Sequence, residues 1–240
     1  MQAAITYVHH NCFILEMDGR TMVFDYPAAE HRPPGAEDVV RQRLAGADAV
    51  IFFSHSHADH CGADILELTK ATASAAMVLS FDVPDMVPEL DVTGALVVDP
   101  DETVHVGDLV ISCLESNDLG VAFLIDAPEG RVYHGGDLAL WDWPGLDKAG
   151  LDFTRRYYEQ CLERVRAFAP HIAFADADPR LGSRAGGDLF WERVRPPVFV
   201  PMHSFGDLDS LARFSRDLAA PAGRVLTFEA VGQRREIVLP

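Results

Sequence analysis

Residues 54–60 read Ser-His-Ser-His-Ala-Asp-His, so three of the ten histidines in 240 residues fall, with an aspartate, inside six positions. In extended backbone the side chains at i and i+2 point the same way, so His55 and His57 can converge on one point. Asp59 and His60, at the entry to a helix-like run, can converge on a neighbouring point. Imidazole nitrogens with a carboxylate suit Zn²⁺ and also Mn or Fe, with geometry and supply deciding between them. The cluster is therefore shaped for one or two metal ions. A metal lowers the pKa of bound water and polarises a carbonyl or phosphoryl group, which is the chemistry of hydrolysis. Asp59 is the candidate to orient that water or take its proton.

The context of HxHxDH, after an apolar strand-like run and before a helix, resembles that of the metallo-β-lactamase superfamily, whose most diagnostic motif it is. Further matches follow in the family's order. FDYP supplies Asp25, which resembles the acidic residue beneath the family's metal site; YHGGD supplies Asp137, which resembles the aspartate that bridges two metals; VPMHS places His203 where the last ligand histidine is expected. The opening TYVHHNCFILE, with FDYP, looks closest to the branch containing ascorbate-phosphate lactonases and related lactonases and phosphodiesterases. The resemblance implies a single metallo-β-lactamase-like domain over residues 1–240, of α/β class. Its architecture would be a four-layer αββα sandwich with the metal site along one edge between the sheets. It also implies His55, His57, Asp59, His60, Asp137 and His203 as metal ligands. His134, just before the glycines, would face the site or stand behind it, and His10 could reach the pocket.

One motif departs from the pattern. The stretch that should carry another histidine is CLESNDLGVAFLI, which offers Glu115, Ser116, Asn117 and Asp118 instead. Glu115 or Asp118 could supply an oxygen and make the site friendlier to Mn or Fe, one ion could suffice, or the site could be degenerate. Trp141 and Trp143, after Asp137, could wall a pocket, and Arg180 could hold a substrate carboxylate or phosphate in a bidentate grip. Three functions follow: a metal-dependent hydrolase of a small ester, lactone, amide or phosphodiester; a mononuclear iron oxidoreductase on the same scaffold; or a non-catalytic metal-binding or sensing protein.

These residues need elements to place them. AAITYV, CFILEM and TMVFD read as strands, with Asp18-Gly19 as a hairpin turn between the last two. The unbroken apolar run over 48–54 reads as a strand covered on both faces. Helical spacing marks residues 62–74, 152–168 (with Asp152 as cap) and 208–220. Short strands fill 76–134, HIAFAD and PVFVPM are two buried strands, and RVLTF and REIVL end the chain. Such alternation suggests sheets packed face to face with helices outside.

At 48% hydrophobic and 24% charged residues the composition is that of a globular protein with a full core. Lys plus Arg number 20 against 37 acidic residues, and a net charge of −17 repels a polyphosphate backbone. A small substrate is expected, with no nucleic-acid partner, and self-association cannot be read from the sequence. No CxxC pair occurs among Cys12, Cys61, Cys113 and Cys161, which read as buried reduced thiols. There is no basic leader and no run of 18 apolar residues, so a cytoplasmic protein without membrane contact is expected.

Overall fold

The computed structural model describes residues 2–239. They form two compact units, residues 2–99 with 228–239, and Pro100–Thr227.

The first unit holds a seven-stranded mixed sheet. Its strands are β1 (Gln2–His9), β2 (Cys12–Met17), β3 (Arg20–Phe24), β4 (Asp48–Phe53), β5 (Ser74–Ser80), β6 (Leu96–Val98) and, from the chain end, β13 (Arg234–Val238), in the order β13-β1-β2-β3-β4-β5-β6. The β2–β3 hairpin turns at Asp18 and Gly19, with φ of 44° and 84°. Positive φ at both turn residues matches the right-handed twist of the strands, which is why Asp-Gly marks this position. From β3 onward the pairing is parallel. β4 is buried from Ala49 to Phe53, as its unbroken apolar run predicts. Helices α1 (Ala36–Leu44) and α2 (Ile65–Thr69) bring Val40, Leu44, Ile65 and Leu68 onto one face of the sheet, against Ile14, Val23, Ile51 and Phe53. The helix expected over 62–74 stops at Thr69 because Ala73 N already bonds Ala47 O, at the start of β5. A single turn, α3 (Val83–Met86), follows β5.

The second unit is a six-stranded sheet in the order β12-β11-β10-β9-β8-β7. Its strands are β7 (Thr103–Val106), β8 (Leu109–Glu115), β9 (Val121–Ala127), β10 (Gly130–His134), β11 (Ile172–Asp176) and β12 (Val198–Met202). The first four pair antiparallel; β10, β11 and β12 are parallel, so their carboxyl ends lie side by side. Helices α4 (Lys148–Phe168), α5 (Gly187–Val194) and α6 (Leu208–Asp217) cover one face, packing Tyr158, Leu162, Phe190 and Phe214 on Tyr133, Ala173 and Phe199.

Two further sequence expectations are corrected here. Helix α4 begins four residues before Asp152, capped by Asp147, whose Oδ1 accepts from Gly150 N at 2.8 Å. RVLTF is not a strand but a single bridge from Val225 to Phe199 of β12. Phe199 uses both backbone groups there, but the next residue of that register is Pro201, which has no N–H to extend the ladder. Helix α5 opens on Gly187, the last residue of the polar, Gly-rich stretch DADPRLGSRAGG. Among the described residues no helix is long and apolar enough to cross a membrane.

Candidate metal centre

In the first unit, the ligand-type residues gather beyond the carboxyl end of β4 and at the turn between β1 and β2. Asp25, at the end of β3, is fully buried and holds them in place. Its Oδ1 accepts from Ser54 N at 2.8 Å; its Oδ2 accepts from Ser54 Oγ at 2.8 Å and faces His60 Nδ1 at 3.0 Å. A carboxylate only accepts, so the His60 proton sits on Nδ1 and its Nε2 carries a lone pair. The Ser54 hydroxyl, having donated to Asp25, accepts from His55 Nδ1 at 3.0 Å, which turns the lone pair of His55 to Nε2 as well. That Nε2 lies 3.0 Å from His57 Nδ1. On the other side of His60, Asp59 Oδ2 stands 3.9 Å from His60 Nε2 and 3.5 Å from Nε2 of His10. His10 and His60 are fully buried and their rings meet edge-on at 5.1 Å. Two convergent groups thus form, His55 with His57, and Asp59 with His60 and His10. His10 and Asp25 hold φ of 52° and 46°. Non-glycine residues in this region cost energy and cluster at functional sites, where the surroundings over-determine them.

In the second unit the donors stand at the carboxyl ends of the three parallel strands. His203, following β12 with φ 65°, presents Nε2 at 3.4 Å from Asp137 Oδ2. Asp137, His203 and Asp176, the last residue of β11, offer ligand atoms all within 4.8 Å of one another. The sequence reading did not include Asp176; its signal was only that HIAFAD ends, like the neighbouring strands, on a ligand-type residue. Trp141 donates from Nε1 to the Asp137 carbonyl at 3.0 Å and meets the His203 ring edge-on at 5.2 Å. It is buried, whereas Trp143, stacked on it at 5.8 Å, is 40% exposed.

The stretch that lacks the histidine is held against the Asp137 loop. Asn117 donates from Nδ2 to Ala139 O at 2.8 Å and accepts from Ala139 N at 3.2 Å. This clamp leaves Asp118 with a carboxylate oxygen within 4.8 Å of one of Asp137. Glu115 instead faces helix α4, where Tyr157 Oη donates to its backbone oxygen at 3.1 Å. His134 is buried and accepts from Gly136 N through Nδ1 at 3.3 Å, shaping the glycine turn that presents Asp137. Arg180 is bound to Asp178 through Nε and Nη2.

The charges of this second group fit a cation. Three buried carboxylates, Asp137, Asp176 and Asp178, surround His203. Burial opposes charge on His203, but Asp137 and Asp176, with hydrogen bonds to Asp137 and Asp178, outweigh it and raise its pKa well above the ordinary value. To bind a metal His203 must give up its extra proton, and the three carboxylates against Arg180 then leave two negative charges, the imbalance a divalent ion would correct.

Residues 4–142, more than half of the chain, match the beta-lactamase superfamily domain. The chain belongs to the metallo-β-lactamase superfamily. The mixed sheets and their helices are those of the superfamily's α/β sandwich fold. A UPF0173 metal-dependent hydrolase of Aeropyrum pernix is 25% identical over 221 residues, 84% of this chain and 82% of that relative. Igni18, a metallo hydrolase from Ignicoccus hospitalis, aligns over 100% of both chains with a TM-score of 0.65 and 18% identity. CmlA, a diiron β-hydroxylase from Streptomyces venezuelae, shares the superfamily fold at a TM-score of 0.58 and 15% identity, over 99% of this chain and 54% of its own.

The four cysteines are free and buried. Burial pushes the Cys161 thiol up to about 11 and the Cys113 thiol to about 12.

Proposed function

We propose that this superfamily member is a metal-dependent hydrolase acting on a small ester, lactone, amide or phosphodiester. The ligands are His55, His57, Asp59, His60, Asp137 and His203, for one or two ions, with zinc or manganese the expected metals. The observation that carries the reading is the treatment of the histidines. His60 and His203 each have Nδ1 at 3.0 Å from a buried carboxylate, Asp25 or Asp178, so each directs Nε2 to the ligand side. Outer carboxylates of this kind orient metal-binding imidazoles and raise their basicity. The relatives named as metal-dependent hydrolases support the same chemistry.

A divalent ion, when bound, lowers the pKa of a water from about 15.7 toward 7 and polarises the attacked group. The chain's own contribution is positional. Asp59, partly exposed and 3.5 Å from His10 Nε2, is placed to accept the proton of the attacking water. Asp25 and Ser54 keep His55 and His60 in the tautomer that binds through Nε2. Trp141 excludes water behind His203, and Trp143 offers an aromatic wall to the substrate. The test is hydrolysis of lactones and bis-nitrophenyl phosphate by metal-loaded protein, with His57→Ala as control. Turnover that requires both metal and His57 supports the reading; turnover unaffected by either removes it.

A second reading is an iron oxygenase. It is favoured by Asp118, whose carboxylate beside Asp137 gives a harder donor where the family pattern has imidazole, and CmlA is a diiron enzyme of this fold. Stoichiometric iron with oxygen uptake would select it over the hydrolase.

A further inference from the structure

We propose that Asp178 is the positioning residue of His203, and that Arg180, held between Trp143 and Phe205, is the brace that keeps Asp178 in place. The proposal rests on His203 being a metal ligand.

Asp178 is fully buried, two residues past the end of β11. Its Oδ2 lies 3.0 Å from His203 Nδ1. Because a carboxylate accepts, this contact holds a proton on Nδ1, so that Nε2, which points to Asp137, is the nitrogen left to bind a metal. His203 needs such a fix. Its backbone is left-handed, at φ 65°, and the residue two further on, Phe205, is left-handed too, at φ 49°. That region is uncommon for any residue but glycine, even though histidine enters it more readily than most, so tertiary contacts must hold it there.

Asp178 is in turn gripped from one direction. Arg180 donates to Oδ1 from its backbone N at 2.8 Å and from Nε at 3.0 Å, and to Oδ2 from Nε at 2.9 Å and from Nη2. The guanidinium carbon sits 4.3 Å from the Phe205 ring centre and 5.2 Å from that of Trp143. Both rings are exposed large apolar groups, at 44% and 40%. Phe205 also meets the His203 ring edge-on at 5.2 Å, so one aromatic side chain touches both the brace and the histidine. A planar fork gripping a carboxylate while its faces lie on aromatic rings is an arrangement lysine cannot reproduce. The chain Arg180, Asp178, His203 is thus built as a rigid support, with the solvent-side aromatics serving the guanidinium.

The test measures Zn²⁺ affinity by competition with a colorimetric chelator and the His203 tautomer by ¹⁵N NMR of the metal-free protein at a pH high enough to leave the ring neutral. Asp178→Asn must set an amide NH₂ against donors on at least one side, because both carboxylate oxygens accept. It should weaken Zn²⁺ about 10–100-fold, the range for loss of an outer-shell partner, and shift the tautomer away from Nδ1–H. Arg180→Ala should weaken binding by a smaller factor, and Arg180→Lys should not restore it, since a point charge replaces the fork. His203→Gln separates the two levels of argument. If His203→Gln binds Zn²⁺ like the wild type, the ligand reading of His203 fails and this proposal falls with it. If His203→Gln loses Zn²⁺ while Asp178→Asn keeps affinity and tautomer, only the positioning role is overturned. Should Asp178→Asn not fold, the half-exposed Arg180 carries the test, and unchanged affinity in Arg180→Ala overturns the brace.

Discussion

Replacing Asp25 by asparagine should damage metal binding more than replacing it by alanine, although alanine is the larger chemical loss. Asp25 Oδ1 accepts from a backbone N–H, that of Ser54, which cannot reverse its role. The asparagine carbonyl must therefore occupy that position, and its NH₂ must take the place of Oδ2. There it donates to His60 Nδ1 and to Ser54 Oγ, both of which had donated to the carboxylate. His60 is pushed to the Nε2–H tautomer. The Ser54 hydroxyl, now accepting, turns its proton to His55 Nδ1 at 3.0 Å and pushes that ring the same way. One oxygen-to-nitrogen change thus caps the ligand nitrogens of two histidines. Loss of one outer-shell partner costs about 10–100-fold in affinity; with two rings inverted we expect the upper end, about 100-fold or 2.7 kcal/mol. The fold should tolerate Asp25→Asn, because asparagine accepts the φ of 46° found here. Alanine forces no tautomer but leaves the buried Ser54 and His60 donors without the carboxylate, at about 1–3 kcal/mol each. Chelator competition and urea unfolding of the metal-free proteins should therefore rank the variants in opposite orders. Asparagine binding metal as well as wild type, or better than alanine, would refute the tautomer argument.

Three further outcomes follow from the packing. Gly186→Ala should lower stability in urea by at least about 2 kcal/mol, because φ is 84° and the new Cβ would stand 2.5 Å from Tyr158 and 2.8 Å from Leu140; a loss below about 0.5 kcal/mol would mean the loop relaxes freely. Burial raises Tyr7 to about 12, as it raises Cys113 to about 12 and Cys161 to about 11. Each folded pKa exceeds its unfolded value of about 10 or 8.5, so this stability is complete below those values and is lost as pH climbs toward 12; a urea midpoint flat from pH 8 to 12 would contradict it. With every thiol buried and its pKa raised, none of the four cysteines should react with Ellman's reagent at neutral pH until the protein unfolds, and a fast-reacting equivalent in the native state would count against this packing.

The residues legible in the sequence were those whose backbone setting announces itself. The run of β4 before HSHADH, the glycines before Asp137 and the apolar strand before His203 each combine a periodic signal with a ligand-type residue. Asp18-Gly19 was legible for the same reason, since a tight hairpin needs two positive φ angles. What stayed hidden depends on tertiary contact. Asp178, and the grip on it of Arg180, which the sequence offered only as a substrate contact, sit in DADPRLGSRAGG, a polar, Gly-rich stretch whose composition reads as a loop. Its last glycine is there for space. A Cβ at Gly187 would lie 2.8 Å from Asp176 O and 2.9 Å from Phe214. That crowding, rather than flexibility, explains the pair Gly186-Gly187 and let helix α5 go unseen. Asn117 likewise reads as a turn residue, and only the fold shows it clamping Ala139 on both backbone groups.

Everything proposed for this protein depends on its histidines and carboxylates binding metal. Elemental analysis of the purified protein, grown with Zn, Mn and Fe supplied, tests that most directly. At least one transition-metal ion per chain is expected, lost or sharply reduced in His203→Gln. Protein that stays metal-free under those conditions, or a His203→Gln variant that keeps its full complement, would contradict it.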